Sequence, residues 1–159
     1  MDNTKTIEAF NNLIVINNDR IEGYKTAEAE ADETDLKMMF SNAMQNSVDF
    51  KKELIAEVEL MDGNVKDGTL TSGKLFRIWM DIKAELTANS RITILDSCVF
   101  GENTIIESYE DALRDHKDDF TLVQNQILSR QLTILKSDCD KVKHLLNAML
   151  KQEKQAELE

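Results

Sequence analysis

The sequence predicts an all-α protein: a bundle of four long helices forming a single domain over residues 1–159. Three observations carry that expectation. The chain has no proline and only five glycines, so the strongest helix breaker, about 3 kcal/mol worse than alanine in a helix interior, is missing. Apolar residues recur at three- and four-residue steps through four long stretches, the spacing of one helix face. Only the connection Asp62–Thr69, with Gly63, Asn64, Asp67 and Gly68, has the composition of a true loop.

The first helix is expected from about Thr4 to about Ala31, with Ile7, Phe10, Ile14, Ile21 and Tyr24 on one face, Asn17 among them, and Leu13 and Ala27 widening it. Gly23 inside it points to close packing, since glycine costs about 1 kcal/mol there relative to alanine. Asp32-Glu33-Thr34-Asp35 is a short polar break with N-cap residues. A break that short makes the next helix an antiparallel neighbour. That second helix runs to about Met61, with Leu36, Met39, Phe40, Ala43, Ser47, Phe50, Leu54, Val58 and Met61 inward. After the glycine loop a short helix is expected over about Thr71–Ala88, carrying Leu75, Ile78, the lone Trp79, Ile82 and Leu86.

The third long helix spans about Arg91–Asp115. Its face is Leu95, Cys98, Ile105, Tyr109 and Ala112, with Glu102 in the middle. A tight break at Asp115–Asp118 leads into the last helix, from about Asp118 to beyond Lys151. Val123, Ile127, Gln131, Ile134, Asp138, Val142, Leu145 and Met149 form one stripe, and Leu128, Leu132, Leu135, Cys139 and Leu146 an adjacent one. So wide a face implies burial by more than one neighbour. The polar tail Gln152–Glu159 is expected to fray.

Two tight turns and one connection of about thirty residues describe a particular topology. Such a connection can run the length of the bundle, so the first and third helices need not be antiparallel. This is the ferritin-like pattern with one long crossover, whereas an up-down-up-down bundle uses a short turn at that place. A weak internal repeat fits two related hairpins. Ile21-Glu22-Gly23-Tyr24 with Ala27 matches Ile106-Glu107-Ser108-Tyr109 with Ala112, and the same offset sets Asn17 against Glu102 and Phe10 against Leu95.

Bulk properties narrow the function classes. A chain of this length buries roughly 70% of the surface its unfolded form exposes. The net charge of −11 repels phosphate backbones and anionic lipid heads, which argues against nucleic acid and membrane as partners. Cys98 and Cys139 lie on apolar faces and read as buried free thiols. No signal peptide and no apolar run of about 20 residues is seen, so a cytoplasmic protein is expected.

A carboxylate in a bundle seam is either a metal ligand or a paired core polar group. A ferritin-like di-metal site needs a glutamate from each of two helices and Glu-x-x-His from each of the other two, because i and i+3 share a helix face. The two histidines, His116 and His144, both lack a glutamate three residues earlier, and the second helix has no histidine. A conventional di-iron centre is therefore not expected. A degenerate site remains a candidate, with Glu102 and Asp138 as carboxylate ligands and Gln131, Asn17 and Ser47 as further seam polar residues. Hard divalent cations accept such all-oxygen sets. The competing reading is a buried hydrogen-bond network that fixes helix register. There is no Gly-rich phosphate loop, no Ser/His/Asp set and no CxxC.

The chain resembles a family of bacterial ferritin-like four-helix-bundle proteins of unassigned function. The resemblance rests on Ile16–Tyr24, on Trp79-Met80-Asp81-Ile82-Lys83-Ala84, and on Leu95–Tyr109 with Cys98, Gly101 and Glu102. Arg130-Gln131-Leu132 and Asp140-Lys141-Val142 extend it into the last helix. It implies the ferritin-like fold, a dimer and a stress-associated role, and it supplies no reaction. Relatives often carry Cys at the Asn17 position, an acidic residue near Ile21 and His at the Cys139 position, all of which this chain lacks.

The functional expectation is a non-catalytic ferritin-like bundle acting as a binding or interaction module, as a homodimer or with a protein partner, and without a cofactor. The alternative is a metal-binding or oxidase-type protein holding a divalent metal at a degenerate core site around Glu102 and Asp138. A third reading is a helical adaptor whose acidic faces take a basic partner.

Overall fold

The computed structural model describes residues 2–68, 80–81, 84 and 91–158. Its long helices are α1 (Thr4–Glu30), α2 (Thr34–Leu60), α3 (Arg91–Asp115) and α4 (Leu122–Leu158). No strand occurs among the described residues. The short helix expected over Thr71–Ala88, Trp79 included, lies outside the described residues except for Met80, Asp81 and Ala84, which are helical and exposed. No described helix is long and apolar enough to cross a membrane.

The predicted faces form the core. Phe10, Ile14 and Tyr24 of α1, Phe40, Phe50, Leu54 and Val58 of α2, Leu95, Cys98, Ile105 and Tyr109 of α3, and Leu128, Leu135, Cys139 and Val142 of α4 are all buried. Ile21, Met39 and Met61 lie only half inside. Gly23 is buried, as expected of a mid-helix glycine.

Helix directions follow from contacts along the seams. Ile7 packs against Gly63 while Arg20 reaches Ala43 and Ser47, so α1 and α2 are antiparallel. Thr6 meets Asp119, Asn17 meets Tyr109 and Arg20 meets Glu102, which makes α1 and α3 antiparallel as well. Gln124, Gln131 and Asp138 of α4 reach Glu57, Glu53 and Asn46 of α2 in reverse order. Thus α2 and α3 run parallel. The freedom given by the long connection falls on this pair, and the first and third helices are antiparallel.

Both ends of the crossover are anchored. The α2 helix closes in a Schellman arrangement: Asp62 takes a left-handed φ of 56°, Asp62 N donates to Glu59 O at 3.0 Å, and Gly63 N donates to Val58 O at 2.9 Å. A Cβ on Gly63 would lie 2.9 Å from Ile7 side-chain carbons, so glycine lets the exit pass close to α1. From there Asn11 and Asn18, two turns apart on α1, hold the chain. Asn11 Nδ2 donates to Asn64 O and Asn11 Oδ1 accepts from Lys66 N, both at 2.9 Å. Asn18 Nδ2 donates to Asp67 Oδ1 at 2.8 Å and to Gly68 O at 3.0 Å. At the opposite end Arg91, the first residue of α3, pairs with Glu33 and Asp35 beside the α1–α2 turn. The α2 exit and the α3 start therefore lie at opposite ends of the bundle.

Three expectations about helix ends are corrected. The N-cap of α2 is Glu33, whose side chain makes no capping bond, because its carboxylate and that of Asp35 are engaged by Arg91. The last helix starts at Leu122 and not near Asp118. Thr121 and Gln124 form a reciprocal capping box, with Gln124 N donating to Thr121 Oγ1 at 3.1 Å and Thr121 N donating to Gln124 Oε1 at 2.9 Å. The residues before it make a turn that buries Phe120 against Phe10, edge to face at 5.5 Å, and stacks it on His116. Gln124 thereby takes the inward place expected of Val123, which is exposed. Finally, the helix includes the tail: α4 is helical to Leu158, and Gln152–Leu158 consists of good helix formers without a breaker.

Candidate functional site

The bundle interior holds two layers of buried polar side chains, each joining all four helices. The first is centred on Arg20 of α1, which is fully buried. Its Nε donates to Glu102 Oε1 at 2.9 Å and its Nη2 to Glu102 Oε2 at 2.8 Å, a bidentate pair with α3. Nη2 also donates to Asp138 Oδ2 of α4 at 3.0 Å. Nη1 donates to Ala43 O at 3.0 Å and to Ser47 Oγ at 2.9 Å, both on α2. All five guanidinium N–H groups are thus used, the full donor capacity of arginine. Tyr24 Oη donates to Glu102 Oε1 at 2.8 Å, and Asn46 Nδ2 donates to Asp138 Oδ2 at 2.9 Å.

The second layer is a neutral relay that ends on a carboxylate. Asn17 Nδ2 of α1 donates to Tyr109 Oη of α3 at 2.9 Å and to Leu13 O at 2.8 Å. Tyr109 Oη donates to Gln131 Oε1 of α4 at 2.7 Å. Gln131 Nε2 donates to Phe50 O and Glu53 Oε1 of α2, both at 3.3 Å. Glu53 is also paired with Arg130. Asn17 Oδ1 is buried without a hydrogen-bond partner, a cost of about 1–3 kcal/mol.

The internal repeat is realised in these layers. The offset that relates Tyr24 to Tyr109 and Asn17 to Glu102 also relates Asn46 to Gln131 and Glu53 to Asp138. Tyr24 bonds Glu102 as Tyr109 bonds Asn17, and Asn46 bonds Asp138 as Gln131 bonds Glu53. Arg20 breaks the symmetry, since its counterpart is the buried Ile105.

The electrostatics follow from burial and the seam charges. Desolvation would lower the Arg20 pKa, but the charge and hydrogen bonds of Glu102 override it and hold the guanidinium above its ordinary value. Burial, and then Glu102, push Tyr24 well above the usual phenol range. Burial likewise raises Tyr109. The Cys98 thiol, fully buried one turn before Glu102, is raised by desolvation and then by that carboxylate. Cys139 is buried too, its pKa raised chiefly by desolvation, and its Sγ lies 3.7 Å from Asn103 Oδ1. Both thiols are free and lack the low-pKa environment of reactive cysteines.

The structure brings the candidate ligands Glu102 and Asp138 together, and Ser47 with them, but around a guanidinium. Both Glu102 oxygens and one Asp138 oxygen are taken by Arg20. Gln131 and Asn17 belong to the other layer. His116 sits in the α3–α4 turn with Nδ1 3.2 Å from Asp119 Oδ2, and His144 is exposed on α4. Among the described residues no three His, Cys, Asp or Glu side chains gather as a metal-binding set. The donor set therefore does not fit a ferritin-like metal centre: the cation its carboxylates need is covalently part of α1.

Sequence reasoning missed Arg20, Asn46 and Glu53. One signal could have exposed Arg20. It lies three residues after Asn17 and four before Tyr24, as well placed on the α1 face as Ile21. The seam set also contained two acids and no base, and buried charges must be paired.

Beside the first layer, α2 and α4 separate to leave a cleft of about 320 Å³ whose floor includes Tyr24, Ala43 and Asp138. A family model described as "Domain of unknown function (DUF2383)" matches residues 5–115, a span that holds Arg20, Tyr24, Ser47 and Glu102 and ends before α4. No curated protein and no solved structure matches the chain.

Proposed function

The chain belongs to the family described as "Domain of unknown function (DUF2383)", and we propose that it is a non-catalytic ferritin-like bundle working as a binding and interaction module. The observation that carries this reading is the fully bonded Arg20 guanidinium between Glu102 and Asp138. A polar core tied this way fixes helix register and holds no reactive group ready for a substrate. The ferritin-like assignment is supported by the parallel α2–α3 pair, by the crossover anchored at both ends, and by the repeat-related polar layers. The stress-associated role rests on the family resemblance alone. Nucleic acid is a poor partner for a net charge of −11.

The interaction side is supported by α4. It has 37 residues against 27, 27 and 25 in the other helices, so at 1.5 Å per residue it reaches ~15 Å past them. Near that end Leu145, Leu146 and Met149 are half-buried and Leu150 is exposed. A homodimer through this stripe is part of the proposal. Sedimentation equilibrium tests it: a dimer that Leu146→Glu with Leu150→Glu dissociates is expected, and a monomer at all concentrations would overturn it. The metal-binding alternative centred on Glu102 is tested by metal analysis of protein purified without chelator. A stoichiometric divalent metal that disappears in Glu102→Gln would replace the interaction-module reading.

A further inference from the structure

We propose that the cleft between α2 and α4 is a binding site for a small organic cation, with an ammonium head on Asp138 and a short apolar body along Met38, Met39 and Val142. Three observations support this. First, Asp138 is 7% exposed, yet it lines the cleft. The described hydrogen bonds to its carboxylate, from Arg20 Nη2 and Asn46 Nδ2, both end on Oδ2. Oδ1 carries no described hydrogen bond, and the proposal assigns it as the acceptor for the ligand head. Second, the buried charges do not balance. Arg20 is engaged bidentately by Glu102, so Asp138 leaves the first layer with one excess negative charge. A cation is favoured at that point; Asp35, also on the wall, is already paired with Arg91. Third, the walls are apolar where the head would not reach. Met38 is 61% exposed beside Met39 and Val142, and methionine adapts its shape to an incoming apolar group. The volume of about 320 Å³ lies at the low end of small-molecule pockets.

Lys141 stands on the rim one turn after Asp138. Its positive charge opposes a cationic head entering the cleft. The site goes beyond the interaction reading and does not depend on it, since sedimentation decides the dimer and ligand titration decides this.

The test is a titration of the full chain with n-hexylammonium, hexanol and hexanoate, followed by methionine-methyl NMR and calorimetry. Hexylammonium should bind with shifts at the Met38 and Met39 methyls, and hexanoate at least about tenfold more weakly. Asp138→Asn should weaken hexylammonium by about tenfold or more, and Lys141→Ala should tighten it. Asn42 is exposed, lines the cleft and makes no described bond to the Arg20 layer, so Asn42→Trp fills the cleft and decides the matter even if Asp138→Asn fails to fold. Unchanged binding in Asn42→Trp, equal binding of hexanoate and hexylammonium, or no binding of hexylammonium would each overturn the assignment.

Discussion

Replacing Arg20 with alanine removes five hydrogen bonds at once and leaves Glu102 and Asp138 facing each other with no cation between them. Breaking a buried ion pair by deleting one partner costs about 3–5 kcal/mol. Here two carboxylates lose their partner and a cavity opens, so the upper end applies. Because a domain of this size is stable by only about 5–15 kcal/mol, Arg20→Ala should lose about a third or more of its stability in urea denaturation followed by circular dichroism. Arg20→Lys keeps the charge but has three donors and no planar fork, and should lose about 2–3 kcal/mol. Free guanidinium separates the charge effect from simple loss of packing. At low millimolar concentration it should raise the urea midpoint of Arg20→Ala and leave that of the parent unchanged. A ligand at ten times its Kd adds about 1.4 kcal/mol by mass action. A loss below about 1 kcal/mol in Arg20→Ala, or Arg20→Lys equal to the parent, would refute the view that this arginine organises the core.

The two thiols should resist Ellman's reagent in the native protein at pH 8 and react fully in urea, because burial raises both pKa values and closes access. Both of the chain's tyrosines are raised by burial, so their stabilising contribution is whole below the unfolded value near 10 and is lost as pH rises above it. Absorbance at 295 nm should then show no tyrosinate until alkaline unfolding, in a single coupled step. Thr121→Ala removes one half of the α4 capping box and should cost about 1 kcal/mol in the urea midpoint, with Thr121→Ser close to the parent.

The fold was legible because periodicity is a property of each helix alone. The α2 face, for example, needed no knowledge of its partners: of the residues read onto it, Leu36, Phe40, Ala43, Ser47, Phe50, Leu54 and Val58 are buried, and Met39 and Met61 half-buried. The composition of the seam was less legible. Residue type sets the expectation of burial, so Ile21 was placed inward and Arg20 was not, whereas Arg20 is fully buried and Ile21 half exposed. An arginine earns an interior position only through acceptors on other helices, here more than twenty residues away in sequence, and a pattern read along one helix cannot show them. The start of α4 was missed for a different reason. The signal Thr121-Leu122-Val123-Gln124 is local and was present, but the acidic run before it also offers N-cap residues.

The repeat explains why an arginine is needed in one layer only. Four polar positions on one hairpin recur on the other at a constant offset, yet their charges differ: Asn17 answers Glu102, and half-exposed Glu53 answers buried Asp138. Only one layer therefore concentrates two carboxylates in the interior, and that layer has Arg20 where the other has Ile105. The carboxylate of the other layer, Glu53, is reached from the surface by Arg130. A symmetric bundle with acids in both layers would need a cation shared across its twofold axis. With Asn17 in place of an acid, the demand becomes one-sided, and a side chain anchored on one helix can bridge both carboxylates. Asn17→Glu should therefore destabilise the bundle by about 3 kcal/mol or more in the same urea assay, because a second-layer carboxylate would face Tyr109 with no guanidinium in reach. A neutral or stabilising effect would contradict this charge matching.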